Sequence, residues 1–471
     1  MMGPIRLPSV LGSWLSDGLA LLPVVPLLWL TACEPAEEPG DPPSGPESAE
    51  VSDEPFEVWI VDQADSDHAQ GFGGWMYVFD GADLMGEDPG SADAVERLDL
   101  AGATSALCQE ATGVNPVRPH MLLFNREGSH AVLSFVGSGH VVIYDAATRE
   151  PLECFRTSEG AGGSRQAHAA FPAPDGSYIV VANQNGKLLE RIDTDFARGE
   201  FMHNTQATLD LAEGDTPAGL PRQDPELRPD NAPICPVIDE DSRYTWVTLR
   251  GGGLFVVDSR ATPMRIVAEY DRETVKGNGC GGVQSREMMY LNSGGAPVNL
   301  QGAEHEFLHL HGFEVYRFPL SGYGNGTEPN TPAPELVFAA DGERDSHGMA
   351  PVRDGSRIWV LDRNQDLAEV VDAPSGRHLN TVPLAGELSE NPAPDLVDVA
   401  PGGARLFASL RGSVPLTGDP HNATGVTPGL GIIDVDEDGV EGRLLGIVHF
   451  MNDRDGTNVA DPHAVRVRVV R

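Results

Sequence analysis

The segment at residues 305–311 reads HEFLHLH and contains the H-E-x-x-H pattern with which zinc proteases hold their metal. In those enzymes a helix places both histidines on one ion, and the glutamate polarises its bound water. Here the segment runs directly into a strand-like sequence, GFEVYRFPL. In a strand, His305, His309 and His311 share one face and Glu306 points away from it. The last histidine of the extended protease pattern is also replaced by Val315. The segment therefore predicts a cluster of imidazoles and not a peptidase.

Further histidines open similar units along the chain. One unit starts at His120 with HMLLFNREGSHAVLSFVGSGHVVIYD, one at His168 with HAAFPAPDGSYIVVANQNGKLLERID, and one at His347 with HGMAPVRDGSRIWVLDRNQDLAEVVD. In each, an acidic-Gly turn follows seven residues later, a second strand comes next, and a third strand ends in Asp. With an outer strand added, four strands per unit is the size of one β-propeller blade.

The two ends of the repeat complete each other. Further units begin at Ile234 and Asp395, and a degenerate one begins at Cys280, which brings the number of internal units to six. Residues 462–471, PHAVRVRVVR, look like a first strand without a second, and residues 56–63, FEVWIVDQ, look like a second strand without a first. A shared blade closes a ring and removes exposed strand edges. The sequence thus predicts an all-β fold, a seven-bladed β-propeller over residues 56–471 closed by N- and C-terminal strands.

The units resemble the YVTN-family β-propeller repeat, which starts with Pro-His-Gly, passes an Asp-Gly turn and ends in a VIDTATG-like strand. The residues that carry the resemblance are Pro119-His120, His168 with Asp175-Gly176, His347-Gly348 with Asp354-Gly355, VIYDAATRE from Val142, and Pro462-His463. The resemblance implies a periplasmic or cell-surface propeller. It does not imply one chemistry, because this fold has varied roles. Some seven-bladed relatives hydrolyse lactones, but no residue here selects that reaction.

In a propeller all inner strands begin at the same face, so His120, His168, His347 and His463 should meet at one mouth of the channel. Insertions at residues 64–74, 293–312 and 411–428 should cover the same face and add His68, the three histidines of residues 305–311, and His421. Two interpretations remain open: repeat residues that bond neighbouring backbone, or ligands of copper or zinc, which neutral imidazole suits. The nitrous oxide reductase propeller holds copper with a ring of histidines at this end. This chain differs from it at Ile234 and near Cys280, which lack histidine.

The N-terminus predicts export. Residues 1–32 contain an apolar run too short to span a bilayer, and Leu30-Thr31-Ala32-Cys33 resembles the lipobox of bacterial lipoproteins. The resemblance implies removal of residues 1–32, acylation of Cys33 and, since Glu34 is no retention signal, an outer-membrane location on the periplasmic or surface side. Residues 33–55 form an acidic, Pro-rich tether. The formal net charge of -39 argues against nucleic-acid partners and favours cations.

Four cysteines remain after Cys33, an even number in an exported chain. Proximity in sequence pairs Cys108 with Cys154 and Cys235 with Cys280 as disulfides. As an alternative, Cys235 and Cys280 are soft metal ligands beside the histidines.

Weaker patterns complete the candidates. Asp434, Asp436 and Asp438 are spaced as in calcium loops, but Leu445 stands where a bidentate glutamate is needed, and a turn explains them equally. Neither a phosphate-binding loop nor a nucleophile elbow is present in the sequence. We therefore expect a lipid-anchored module whose histidine-rich face binds a protein, glycan or small ligand. The alternative is a copper- or zinc-binding propeller with metal-handling, oxidoreductase or hydrolase activity.

Overall fold

The computed structural model describes residues 54–277, 279–294, 312–324, 330–342, 344–414 and 424–471, and the backbone of 297–298 and 308–309. The signal peptide at 1–32, Cys33 and all but the last two residues of the tether lie outside the described residues and stay predictions. Within the described ranges, no helix has both the length and the apolar character needed to cross a bilayer.

Seven antiparallel sheets form the blades, and in each the strands follow one another outward from the channel. The first blade contains β1 (Phe56–Asp62), β2 (Trp75–Asp80) and β3 (Glu96–Asp99). The second to fourth blades contain β4 (Pro119–Phe124), β5 (His130–Phe135), β6 (His140–Asp145), β7 (Pro151–Arg156); β8 (Ala167–Pro172), β9 (Tyr178–Asn183), β10 (Leu188–Asp195), β11 (Glu200–His203) with the added β12 (Leu209–Asp210); and β13 (Pro233–Ile238), β14 (Tyr244–Leu249), β15 (Leu254–Asp258), β16 (Arg265–Tyr270).

The remaining blades follow the same order. The fifth to seventh contain β17 (Gly282–Ser285), β18 (Met288–Ser293), β21 (Gly312–Pro319), β22 (Glu335–Asp341); β23 (Ser346–Val352), β24 (Arg357–Asp362), β25 (Leu367–Asp372), β26 (Arg377–Pro383); and β27 (Pro394–Val399), β28 (Arg405–Leu410), β29 (Gly429–Val435), β30 (Gly442–His449). Short ribbons outside the blades pair β19 (Pro297–Val298) with β20 (Leu308–His309) and β31 (Asp453–Arg454) with β32 (Thr457–Asn458). The last strand is β33 (Pro462–Val469).

The ring closes as predicted. Strand β33 pairs with β1 in antiparallel register, with Ile60 opposite Val465 and Val58 opposite Val467, and β1 pairs in turn with β2. Ile60 and Val465 are fully buried. The C-terminal strand is therefore the inner strand of the first blade, and the seven-bladed propeller is confirmed.

Burial follows the distance of a strand from the axis. All six residues of β5, β9 and β14 are buried, because the neighbouring blades cover both faces of a second strand. The outermost strands β3 and β11 instead alternate between half-buried and exposed residues, as expected when one face meets water. The apolar core thus lies between blades, and the inner strand ends are held rigidly.

Helices are more frequent than the sequence patterns predicted. Strand β2 is followed by the short helix α1 (Gly81–Leu84), capped by the Asp80 side chain, which accepts from the Ala82 amide. Helix α2 (Ala103–Thr112) ends at Gly113 with φ 75°, the left-handed C-cap that glycine favours. Three single turns of 3-10 helix lie at Pro89–Ser91, Ala161–Gly163 and Thr205–Ala207. These short helices leave the fold all-β, as predicted.

Both predicted disulfides are confirmed. Cys108 of α2 is bonded to Cys154 of β7, with Cα atoms 5.2 Å apart. Cys235 of β13 is bonded to Cys280, just before β17, with Cα atoms 5.0 Å apart. The first bond ties a helix to an outer strand, and the second links two neighbouring blades at the axis.

Candidate metal centre

The innermost strands of six blades have a β-bulge near their first residue, and this bulge directs the histidine side chains toward the channel mouth. In six blades the register with the second strand shifts within the first few residues of the inner strand. A bulge re-aims the side chain of its extra residue. The equivalent bulge positions are held by His120, His168, Ile234, His347, Asp395 and His463. Four imidazoles and one carboxylate therefore reach the mouth of the channel because of one repeated backbone feature.

A hydroxyl on the second strand stabilises several of these bulges. Ser134 accepts from the Met121 amide at 3.3 Å and donates to the carbonyl of His168 in the next blade at 3.0 Å. Ser409 accepts from the Leu396 amide at 3.1 Å and donates to the carbonyl of His463. Each hydroxyl thus fixes the bulge of its own blade and the histidine backbone of its neighbour. The positions of the imidazoles are coupled around the ring.

Three of the imidazoles are held through Nδ1 by oxygen acceptors. His120 Nδ1 lies 3.1 Å from Gln63 Oε1, and His168 Nδ1 lies 2.9 Å from the Ile234 carbonyl. His463 Nδ1 lies 3.0 Å from the carbonyl of His120. A carbonyl or carboxamide oxygen can only accept, so each neutral ring carries its proton on Nδ1 and a lone pair on Nε2. Metal-ligating histidines typically donate from their other ring nitrogen to an oxygen in this way.

The Nε2 atoms so defined point toward other acceptors. His120 Nε2 and His168 Nε2 are 3.3 Å apart, and His463 Nε2 lies 3.8 Å from Asp395 Oδ2. The rings of His120 and His463 stack with centroids 3.6 Å apart. Lone pairs that face each other at such distances repel unless a proton or a metal ion lies between them.

His347 completes the group and is the most distinctive of the four. It is buried, and within the described part of the chain neither of its ring nitrogens makes a hydrogen bond. Its Nε2 nevertheless lies 3.3 Å from Asp395 Oδ1. Ligand atoms of His347, Asp395 and His463 all lie within 4.8 Å of one another. His347 and His463 thus face the same carboxylate, and the three side chains present ligand atoms that one metal ion can bridge.

Three of these imidazoles, those of His120, His347 and His463, are held in the neutral form. Burial lowers the pKa of His120 and of His347 well below the usual value for histidine, and neighbouring histidines and arginines lower it further. Burial also lowers the pKa of His463 to about 3, with Asp395 opposing and Arg411 adding to the effect. A proton between the facing nitrogens is therefore disfavoured. Neutral imidazole is also the form that binds metal.

A ladder of buried ion pairs supports the carboxylate. Arg363 pairs with both oxygens of Asp345 at 2.9 and 3.0 Å and with Asp395 at 3.2 Å. Arg411 pairs with both oxygens of Asp461 at 2.6 and 2.7 Å and with Asp395 at 2.8 Å. Burial raises the pKa of the Asp395 carboxyl, but the two guanidiniums and the histidines outweigh burial and hold that pKa well below its usual range. Asp395 is thus a fixed anion at the wall of the channel.

Four of the predicted histidines lie together in the structure: His120, His168, His347 and His463. These four residues and Asp395 are called the axial cluster below. The side chains of His305, His309, His311 and His421 lie outside the described residues; the backbone at Leu308–His309 is a strand, not a helix. His68 lies on the same side, with Nε2 2.8 Å from Asn452 Oδ1.

The calcium candidates behave as turn residues. Asp436 Oδ1 accepts from the Val440 and Glu441 amides at 2.8 and 3.0 Å, and Asp434 lies 4.0 Å from Arg405. These contacts are those of a capped turn at the end of β29, and the calcium loop stays a prediction.

Sequence reasoning missed the arginine ladder and Gln63. A repeated pattern was present: TLRG at residues 248–251 and SLRG at 409–412 each place an arginine directly after a second strand. Arg250 of the first pattern pairs with Asp230 at 2.6 Å, as Arg411 of the second does with Asp461. That recurrence predicts an arginine at the end of the second strand in two blades, but not the partner of each, which lies in the same blade for Arg250 and in the next blade for Arg411.

Comparison with solved structures supports the fold. A hypothetical selenium-binding protein from Sulfolobus tokodaii aligns with a TM-score of 0.58 at 11% identity, over 88% of this chain and 94% of that one. A protein from Lactobacillus plantarum aligns at 0.53 and 11% identity, over 88% and 99%. A putative 6-phosphogluconolactonase from Bacteroides fragilis aligns at 0.51 and 12% identity, over 90% and 99%. No protein-family model and no curated protein sequence matches this chain. Identities this low establish the propeller fold and no activity.

Proposed function

We propose that this propeller is an extracytoplasmic metal-binding protein whose axial cluster holds at least one copper or zinc ion. The observation that carries the proposal is the convergence of acceptors. Ligand atoms of His347, Asp395 and His463 lie within 4.8 Å of one another in a buried space, and burial lowers the pKa of both imidazoles. A cation relieves the repulsion between these atoms, and imidazole nitrogen selects copper and zinc over magnesium or calcium.

The separations suit coordination. Two donors about 2.05 Å from one ion, at a tetrahedral angle, lie about 3.3 Å apart. The His120–His168 nitrogen pair is 3.3 Å apart, and His347 Nε2 is 3.3 Å from Asp395 Oδ1. Both pairs therefore match tetrahedral coordination without rearrangement of the backbone.

The charges of the channel wall also suit a cation. Arg411 is compensated by Asp461 and Arg363 contacts Asp345, whose pKa burial raises to about 7, and both arginines share the Asp395 carboxylate. The formal charge of the whole chain, -39, further attracts cations.

We further propose that a lipid on Cys33 anchors the protein to the outer membrane and that the mouth of the channel faces a protein, glycan or small ligand there. The lipobox-like residues and the tether support the anchor. The interaction-module interpretation is compatible with a metal at the same mouth.

Metal analysis tests the proposal directly. The full chain is stripped with a chelator, titrated separately with Cu²⁺ and Zn²⁺ by calorimetry, and its bound metal is counted by mass spectrometry after desalting. We expect at least one equivalent, and a loss of affinity of about 100-fold or more in His347→Asn and in His463→Asn, because removing a direct ligand should cost more than removing a residue that only orients one.

The matched control is His449→Asn, since His449 is an exposed histidine of the outer strand β30. It should bind as the unaltered chain does. Circular dichroism confirms that each variant is folded. Absence of stoichiometric metal in the unaltered chain, or equal affinity in His463→Asn and His449→Asn, would refute the proposal.

A further inference from the structure

The Cys235–Cys280 disulfide lies beside the axial cluster. One ligand atom from each of Cys235, Cys280 and His168 can be chosen so that all three lie within 4.8 Å of one another. Cys235 follows the bulge residue Ile234, whose carbonyl holds His168 Nδ1 at 2.9 Å. The sulfurs and the imidazole are thus placed by the same bulge.

The other disulfide differs in this respect. Cys108 and Cys154 join α2 to the outer strand β7, and among the described residues no histidine or acidic side chain completes a metal-ligating group with them. The chain therefore supplies its own comparison: one cysteine pair with a third ligand and one without.

The backbone holds Cys235 and Cys280 together independently of the bond between them. Thr248 Oγ1 accepts from the Cys235 amide at 3.2 Å and donates to the carbonyl of Gly279. Gly281 donates to Asn292 Oδ1 at 2.8 Å, and a Cβ on Gly279 would collide with the Asn292 carbonyl. Because these contacts stay when the disulfide opens, both thiols remain beside His168.

We propose that reduction of Cys235–Cys280 creates a second, thiolate-containing metal site, Cys235–Cys280–His168, that binds zinc or copper(I). Two thiolates and one imidazole are three protein ligands of a tetrahedral ion, with the fourth position left for solvent, and thiolate selects soft metals. The axial cluster contributes only nitrogen and oxygen donors. The proposal extends the function argued above but does not depend on metal at His347, Asp395 and His463, because the two groups share no ligand.

The chemistry balances with a dithiol as reductant. The dithiol breaks the Cys235–Cys280 S–S bond by two thiol–disulfide exchanges and leaves as its own disulfide, so two electrons and two protons pass to the cysteines. The incoming metal ion then displaces both thiol protons, which are released to solvent. In the oxidised protein these ligands do not exist, so the redox state of one bond sets the number of soft metal sites.

Cobalt(II) is the probe, because thiolate ligands give it a near-ultraviolet charge-transfer absorption that nitrogen and oxygen ligands do not. The full chain is treated with a dithiol, desalted without oxygen and titrated with Co²⁺. The band should appear in the reduced chain and in reduced Cys108→Ser/Cys154→Ser. It should be absent from the oxidised chain and from reduced Cys235→Ser/Cys280→Ser, which keeps Cys108 and Cys154 as thiols. His168→Ala should weaken Co²⁺ binding about tenfold or more.

Three outcomes would overturn the inference. The first is a reduced chain without the band. The second is a band of equal strength in Cys235→Ser/Cys280→Ser. The third is a Cys235–Cys280 bond that survives the dithiol in folded protein, as scored by thiol labelling after denaturation. Failure of the axial cluster to bind metal leaves the band unchanged, so the two proposals fail separately.

Discussion

Removal of the Arg411 guanidinium should destabilise the propeller much more than removal of an equally close but exposed arginine. Arg411 is 1% exposed, and its partners Asp461 and Asp395 are fully buried. Arg411→Met keeps most of the side-chain volume but leaves buried carboxylates without their main counter-charge. Breaking such a pair costs about 3–5 kcal/mol, most of it the penalty of the orphaned charge.

Arg260 is the matched control. It lies 2.8 Å from Asp175, but the two side chains are 51% and 36% exposed. Water screens such a pair, so Arg260→Met should cost about 0.2–1 kcal/mol. The two substitutions are chemically the same and differ in burial.

Both variants are compared with the unaltered chain in chelator, by urea unfolding and by calorimetry. With an unfolding entropy of about 2.1 cal/mol/K per residue over about 420 folded residues, the loss at Arg411 corresponds to a fall in Tm of about 3–6 °C, and that at Arg260 to about 1 °C or less. Arg411→Met/Asp461→Asn should recover part of the loss because one orphaned carboxylate is gone. Equal effects of the two single substitutions, or no recovery in the double variant, would refute the reasoning.

Two further predictions concern the shared blade. Burial raises the pKa of Asp62 from 3.8 to about 7. Between these two pH values the folded state binds one proton that the unfolded state has lost. The free energy of unfolding therefore falls by up to about 4 kcal/mol as pH rises from about 4 to 7. Asp62→Asn should flatten this part of a plot of Tm against pH, and an unchanged slope would contradict the assignment. Deletion of residues 462–471 removes the inner strand paired to β1 and exposes the edge of β1. The truncated chain should therefore aggregate, as measured by size-exclusion chromatography. A soluble monomer of unaltered Tm would contradict closure of the ring by β33.

The blade count and the ring closure were predictable from the sequence because their determinants are local. Turn residues and strand patterns recur within each unit, and the two half-units at residues 56–63 and 462–471 imply one another. The cysteine pairs followed from proximity in the chain. Helix α2 could not be predicted from the sequence, because its buried residues, Thr104, Ser105 and Cys108, form no apolar stripe of helical period.

The sequence by itself determined which side chains occupy the bulge positions, since His120, His168, His347, Asp395 and His463 occupy equivalent places in the repeat. Only the tertiary structure decided what those side chains can do. Which nitrogen of His463 carries the proton depends on a carbonyl 343 residues away, and the charge of Asp395 depends on two arginines in separate blades. The repeat pattern can be recognised within segments of about ten residues. The direction of an imidazole lone pair and the burial of a carboxylate are set only when strands distant in the sequence come into contact.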